Sequence, residues 1–252
     1  MTELGIKDAV DKLIDNIGWD SYFRISCPAY IELCREFYTT YDYNKSVALT
    51  LSTPGVITFR LMGKDFKLSI TDFNVAFGFI SPEYAQTDEY LTSFCDFSSD
   101  FAPVSLYRQW TATKSALYHP SQSIDNYLRD PILKYVHRFL SFSFSGRQGR
   151  SNLLSKTEFY FLWCMQVGKK VNLGWWLADQ FQDVITRNHP LILGFLITQL
   201  AVQQGLLNLQ DTNLHVACEM LPLDFTCLAG MGLVSKKKGR YHFSLPGPLH
   251  LH

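Results

Sequence analysis

Ser155-Lys-Thr-Glu158-Phe159-Tyr-Phe-Leu162-Trp163-Cys-Met-Gln166 is the stretch on which the fold assignment turns. Ser155 stands just before an apolar run and Glu158 follows three residues on, the reciprocal capping box that satisfies the orphan amides at a helix start. Phe159, Leu162, Trp163 and Gln166 then return at helical spacing, so the segment is a helix with one face to bury. Outward from it the same grammar repeats. Upstream, Ile132, Tyr135, Val136, Phe139 and Leu140 make one stripe, with Pro131 at the first turn and Gly146 as the stop. Downstream, helices are predicted over 173–187, 190–205 and 223–231. The last of these leads into a hairpin, 232–235 with 240–245, turned at Lys238-Gly239.

The first hundred residues mix both periods. An amphipathic helix is predicted over 4–16, and a second over 28–41, where Tyr30, Leu33, Cys34, Phe37, Tyr38 and Tyr41 share a face. Strands over 47–51, 56–62 and 65–68 are rich in β-branched and aromatic residues, with Gly63-Lys64 as the expected turn. Thr71 is read as the cap of a short helix over 72–77 that Gly78 stops. From 81 to 123 only short helical pieces near Tyr90 and Leu106 emerge among Pro82, Pro103 and Pro120, which marks a lobe junction. The expected fold is therefore mainly α, with a small antiparallel sheet in the N-terminal half and a C-terminal β-hairpin that gives a winged-helix-like end. Residues 1–100 form a helical lobe with the small sheet, and 101–252 a helical lobe ending in the hairpin, or the two form one continuous domain.

The 252 residues are 47% apolar, 15% aromatic and 18% charged, enough to bury a core and too apolar for disorder. The net charge of zero hides a polarity: residues 1–100 hold 8 Lys+Arg against 15 Asp+Glu, and the remainder 15 against 8. Six cysteines lie without a C-x-x-C pair, several in apolar surroundings, and the N-terminus lacks a signal-peptide pattern. These features point to a reducing, intracellular setting, nuclear or cytoplasmic. The apolar stretch 191–202 is far short of the ~20 residues a bilayer crossing needs, so no membrane partner is expected.

Five blocks carry a family resemblance: His137-Arg-Phe-Leu-Ser-Phe-Ser-Phe-Ser-Gly-Arg147, Leu154 through Met165, Val171-Asn-Leu-Gly174, Leu223-Asp-Phe through Met231-Gly232, and Phe59-Arg-Leu-Met-Gly63 with Leu68 through Gly78. With the first four the second half resembles the C-terminal domain of the first open reading frame product of Athila-type retrotransposons, of the Gypsy class of plant elements, while the fifth, in the first half, resembles the strand-turn-helix of related plant transposon proteins and, more loosely, the plant mobile domain. The resemblance spans most of residues 20–245. It implies a plant protein derived from or encoded by a retrotransposon, and supplies no catalytic residues to transfer.

Motifs of retroelement enzymes are missing, with no Asp-Thr/Ser-Gly and no Tyr-x-Asp-Asp, and so is the C-x2-C-x4-H-x4-C zinc knuckle of many capsid precursors. Gly-x-Ser-x-Gly is absent, and no two histidines sit at i, i+4. His215 and Cys218 could share a metal were that segment helical. No metal, cofactor or small-molecule substrate is expected. Two basic features could contact nucleic acid: Arg147 and Arg150 in a glycine-flanked loop, and Lys236, Lys237, Lys238 and Arg240 at the hairpin tip. For each, a solvated turn is the expected role over a nucleic-acid contact. Trp163, Trp175 and Trp176 lie in apolar helical runs, where packing is the expected role over base stacking. The leading reading is a non-enzymatic protein interaction or assembly module that binds a protein partner or itself. The alternatives are recognition of RNA or DNA by the basic C-terminal half, and an enzyme without a familiar motif.

Overall fold

The computed structural model describes residues 6–48, 54–93, 97–111, 117–147, 149–187, 192–210, 212–218 and 225–243. The described residues are largely helical, with small antiparallel sheets. In chain order the elements are α1 (Lys7–Ile17), α2 (Asp20–Phe23), β1 (Ala29–Tyr30), α3 (Ile31–Thr40), β2 (Asp42–Ala48), β3 (Pro54–Leu61), β4 (Lys64–Ser69), α4 (Ile70–Ala76), α5 (Asp88–Leu91) and α6 (Pro103–Trp110). Then come α7 (Pro131–Ser143), α8 (Lys156–Val167), α9 (Leu173–Thr186), α10 (Gly194–Gln203), β5 (Val216–Cys218), α11 (Phe225–Gly230), β6 (Val234–Lys237) and β7 (Arg240–Phe243). They gather into two compact units, each assembled from separated stretches: 1–18, 97–170 and 222–252 in one, 19–96 and 171–221 in the other.

The first unit is organised on α8. Phe159, Tyr160, Phe161, Leu162, Cys164 and Met165 are all buried, so this helix is apolar around its whole circumference instead of along one stripe. Neighbours cover it on several sides: α1 with Val10, Leu13, Ile14 and Ile17, α7 with Leu133, Val136 and Leu140, and α6 with Tyr107. Asn16 ties α1 down by donating to the Met165 carbonyl at 2.8 Å. The capping box read from the sequence is present, with Ser155 accepting from the Glu158 amide at 3.2 Å and Glu158 accepting from the Ser155 amide at 3.3 Å. Such a cap contributes about 1 kcal/mol.

The second unit packs α3, α4 and α9 around the sheet β2-β3-β4. Its hub is Phe37, fully buried, with Phe181, Phe59 and Tyr41 rings at 4.9, 5.0 and 5.1 Å. Four differences from the sequence expectations have local causes. The helix expected over 28–41 begins at Ile31, because Ala29 and Tyr30 are drawn into an antiparallel pair with β5. The first strand is centred earlier than 47–51, and 49–53 lie outside the described residues. The β3–β4 turn is Met62-Gly63, not Gly63-Lys64, since Leu61 pairs with Lys64. Ser69, not Thr71, caps α4, and Asp72 completes the box from the third helical position.

Candidate functional site

Residues whose chemistry could have made a site converge inside the first unit. His137, on the inner face of α7, is fully buried between two buried carboxylates. Its Nδ1 lies 2.7 Å from Asp125 Oδ2 and its Nε2 3.2 Å from Glu158 Oε2. Asp125 also accepts from Arg138 Nε at 2.5 Å and Nη2 at 3.0 Å, a bidentate clamp, and Arg138 Nη1 donates to Ser151 at 3.0 Å. Glu158 accepts from Ser145 at 2.6 Å and is paired with Arg147, whose Nη2 also donates to the Leu153 carbonyl at 2.7 Å. Burial alone drags Glu158 upward, but the His137 bond and charge, the Arg147 guanidinium and Ser145 outweigh it and bring it down to about 2. Burial pulls the His137 imidazole down, yet its two carboxylate partners win and the net shift is upward. The result is a chain of alternating charges, Arg138–Asp125–His137–Glu158–Arg147, in which each acid lies between two basic groups.

In this geometry the ionisable groups are spent on one another. Both nitrogens of His137 are occupied by carboxylates, so neither activates a serine hydroxyl. The acids face the imidazole instead of a common point. Among the described residues no group of three or more His, Cys, Asp or Glu is placed to hold a metal ion. His215 and Cys218 lie in an extended segment, where side chains three apart point to opposite faces, and His215 Nδ1 instead meets Glu32 Oε1 at 2.5 Å. The shared-metal reading required a helix, and the strand removes it.

A second polar cluster holds the other unit together. Asn74, buried on α4, donates to Asn172 Oδ1 at 2.9 Å, Tyr90 Oη at 3.1 Å and its own helix at Ile70 O. Its Oδ1 accepts from the Gly174 amide at 2.9 Å, while Asn172 caps α9 by accepting from Trp175 N at 3.1 Å. A Cβ on Gly174 would lie 2.5 Å from Asn74 Nδ2, so only glycine admits this approach.

The six basic candidates all lie in the first unit but are used differently. Arg147 turns inward to Glu158, whereas Arg150 is exposed and donates to Ser121 O at 3.2 Å. Lys236, Lys237, Lys238 and Arg240 are exposed on the hairpin β6–β7. That hairpin is rooted where Lys134, in the first turn of α7, donates to Gly232 O at 3.0 Å, while the Arg147 loop follows the other end of the same helix. Trp163, Trp175 and Trp176 are half-buried, and Trp163 stacks on Tyr160 at 5.7 Å. In the second unit an open depression of about 370 Å³ is lined by Thr40, Thr58, Phe59, Asp65, Phe66 and Lys67. No buried ionisable side chain lines it.

The sequence blocks behind the family resemblance supply His137, Arg138, Ser145, Arg147 and Glu158 to one cluster and Asn74, Asn172 and Gly174 to the other, while Asp125 and Tyr90 lie outside them. A family model described as "Putative plant retrotransposon-related domain" matches residues 15–206. The chain belongs to this family. No curated protein and no solved structure matches it. Within this retrotransposon-related chain, the matched span holds both polar clusters, whereas β5, α11 and the hairpin β6–β7 follow it. Sequence reasoning missed Glu158 as a charge centre, having read it only as a cap. It also missed Asp125 and Asn74, whose roles depend on partners up to 100 residues away.

Proposed function

We propose that this retrotransposon-related chain is a non-enzymatic protein interaction and assembly module, and that the edge of β5 is where it pairs. Two features support the reading. The ionisable groups that the fold brings together are spent on one another in the core, leaving recognition to the surface. The carrying observation is the geometry of β5. Ile31 N donates to His215 O at 3.0 Å, which makes Tyr30 and Val216 a pair without mutual hydrogen bonds, so Val216 directs its own N–H and C=O away from β1. Val216, Ala217 and Cys218 are all exposed, and among the described residues β5 has β1 as its only strand partner. An open strand edge templates another strand, and an antiparallel β5–β5 pair between two copies is self-complementary.

Light scattering after size exclusion, across a concentration series, tests this. The mass is expected to rise towards a dimer, and Val216→Pro, which removes the outward N–H, is expected to hold the chain as a monomer. A wild-type chain that stays monomeric throughout and captures no protein from plant extract overturns the reading. The Athila-type assignment is a finer proposal that rests on the quoted residue blocks.

A further inference from the structure

The hairpin β6–β7 carries an arrangement that the interaction reading does not use. Its tip, Lys238-Gly239, has both residues in the left-handed region, φ 48° and 80°, the two-residue turn that matches strand twist. The register sets Lys236 opposite Tyr241 and Lys237 opposite Arg240. Alternation puts Lys236 and Tyr241 on the side of buried Val234, where Tyr241 stacks flat on Phe225 of α11, 4.3 Å between centroids and 9° between planes. The other face presents Ser235, Lys237, Arg240 and His242. Two cations directly opposite on one face repel, and no salt bridge among the described residues relieves Lys236, Lys237, Lys238 or Arg240. The strand pair is therefore anchored at its root by Gly232 and Phe225 while its outer face and tip hold uncompensated positive charge.

We propose that this face and tip bind the phosphodiester backbone of nucleic acid through Lys237, Lys238 and Arg240, without reading sequence. Single-signed, flexible, exposed side chains suit phosphates, which fix position but carry no base information. Docking of an acidic protein or a membrane fits less well. Both would draw on an apolar anchor, and among the described side chains none of the exposed large apolar ones lies between 225 and 242. The extended peptide of a nuclear-import signal is also a poor match, because the basic run here is bent into a tight turn.

Fluorescence anisotropy of the full chain with a short labelled DNA duplex, over a salt series, tests the assignment. Three neutralised phosphates give a slope of log K against log salt of about −2.7, or about a 40-fold loss from 50 to 200 mM. Replacing Lys237, Lys238 and Arg240 together by Gln is expected to abolish binding with the circular dichroism unchanged. Should that variant not fold, Arg240→Gln alone is expected to make the slope shallower by about 0.9. Lys237→Arg with Lys238→Arg is expected to retain it. The proposal is overturned by absence of duplex binding at low salt, by a slope unchanged in the Gln variants, or by equal affinity for polyglutamate or anionic vesicles.

Discussion

His137 joins two buried carboxylates inside the first unit. A histidine between two carboxylates is the outline of an acid–base site, and here, with no exposed surface and both nitrogens engaged, the two carboxylates favour the protonated imidazole. Its raised pKa places its contribution on the acid side: stability is full below the unfolded value of about 6.5 and is lost as pH climbs through the folded value. Glu158, lowered to about 2, acts oppositely, contributing fully above its unfolded value and losing it as pH falls towards about 2. Urea midpoints measured across pH are therefore expected to be highest between about 4.3 and 6.5 and to fall on the alkaline side. A midpoint that rises steadily from pH 6 to 8 contradicts the charged-imidazole account. Glu158→Gln keeps an acceptor for the cap but strips the charge from between His137 and Arg147, and is expected to cost about 3–5 kcal/mol in the same assay. Gly174 offers a sharper test, because its partner is one side chain. Gly174→Ala is expected to lose about 1–3 kcal/mol by driving a methyl into Asn74. Combined with Asn74→Ala, which vacates that space, the loss should be well below the sum; strict additivity in the double-mutant cycle would remove the contact from the account.

Among elements, legibility followed how local the determining contact is. Helices α7 and α8 announced themselves because their marks are local, Pro131 with the stripe over 132–140 in one and the Ser155–Glu158 capping box in the other, and the Lys238-Gly239 turn because its two residues suffice. The Ser69 cap was also within reach: Ser69 and Asp72 have the spacing of a capping box, a signal that Thr71, one residue from Asp72, lacks. Strand β5 was not, since three residues show no alternation and their partner, β1, lies nearly 190 positions earlier. The β3–β4 turn falls between these cases. Its first residue, Met62, sits at φ 51°, a conformation that the Cβ of most residues disfavours and that Asn and Gly adopt more readily. It is held there from outside, as Glu36 on α3 accepts from Met62 N at 2.6 Å, Gly63 N at 2.9 Å and Arg60 Nε at 2.9 Å. Asn-Gly is the pair this turn type prefers, so Met62→Asn is expected to stabilise by about 0.5–1 kcal/mol in urea unfolding, while Glu36→Ala is expected to cost about 1–2 kcal/mol. If Met62→Asn destabilised the protein, Met62 would have to be contributing packing that its exposed position does not show.

At the scale of the whole chain, the decisive property is that neither compact unit is a continuous stretch. Helix α1 belongs with α7 and α8, more than a hundred residues downstream, and α9 and α10 belong with α3, α4 and the β2-β3-β4 sheet. No local pattern encodes such pairings, which is why helical stripes could be read residue by residue while their mutual arrangement could not. The interleaving has a consequence for any division of the chain near residue 100, where the charge balance changes sign. A fragment 101–252 would carry α8 without the Val10, Leu13, Ile14 and Ile17 face that covers it, and α9 without the Phe37 and Phe73 rings of α3 and α4 that Phe181 packs on. Exposing four large aliphatic side chains forgoes about 1.5–3 kcal/mol each, against a total stability of about 5–15 kcal/mol. Both fragments, 1–100 and 101–252, are accordingly expected to be molten or unfolded alone, with poorly dispersed amide spectra and bound hydrophobic dye. Mixing them is expected to restore dispersion, because the missing covers are supplied in trans. A sharp, cooperative spectrum from either fragment by itself would refute the interleaved architecture and return the chain to two sequential lobes.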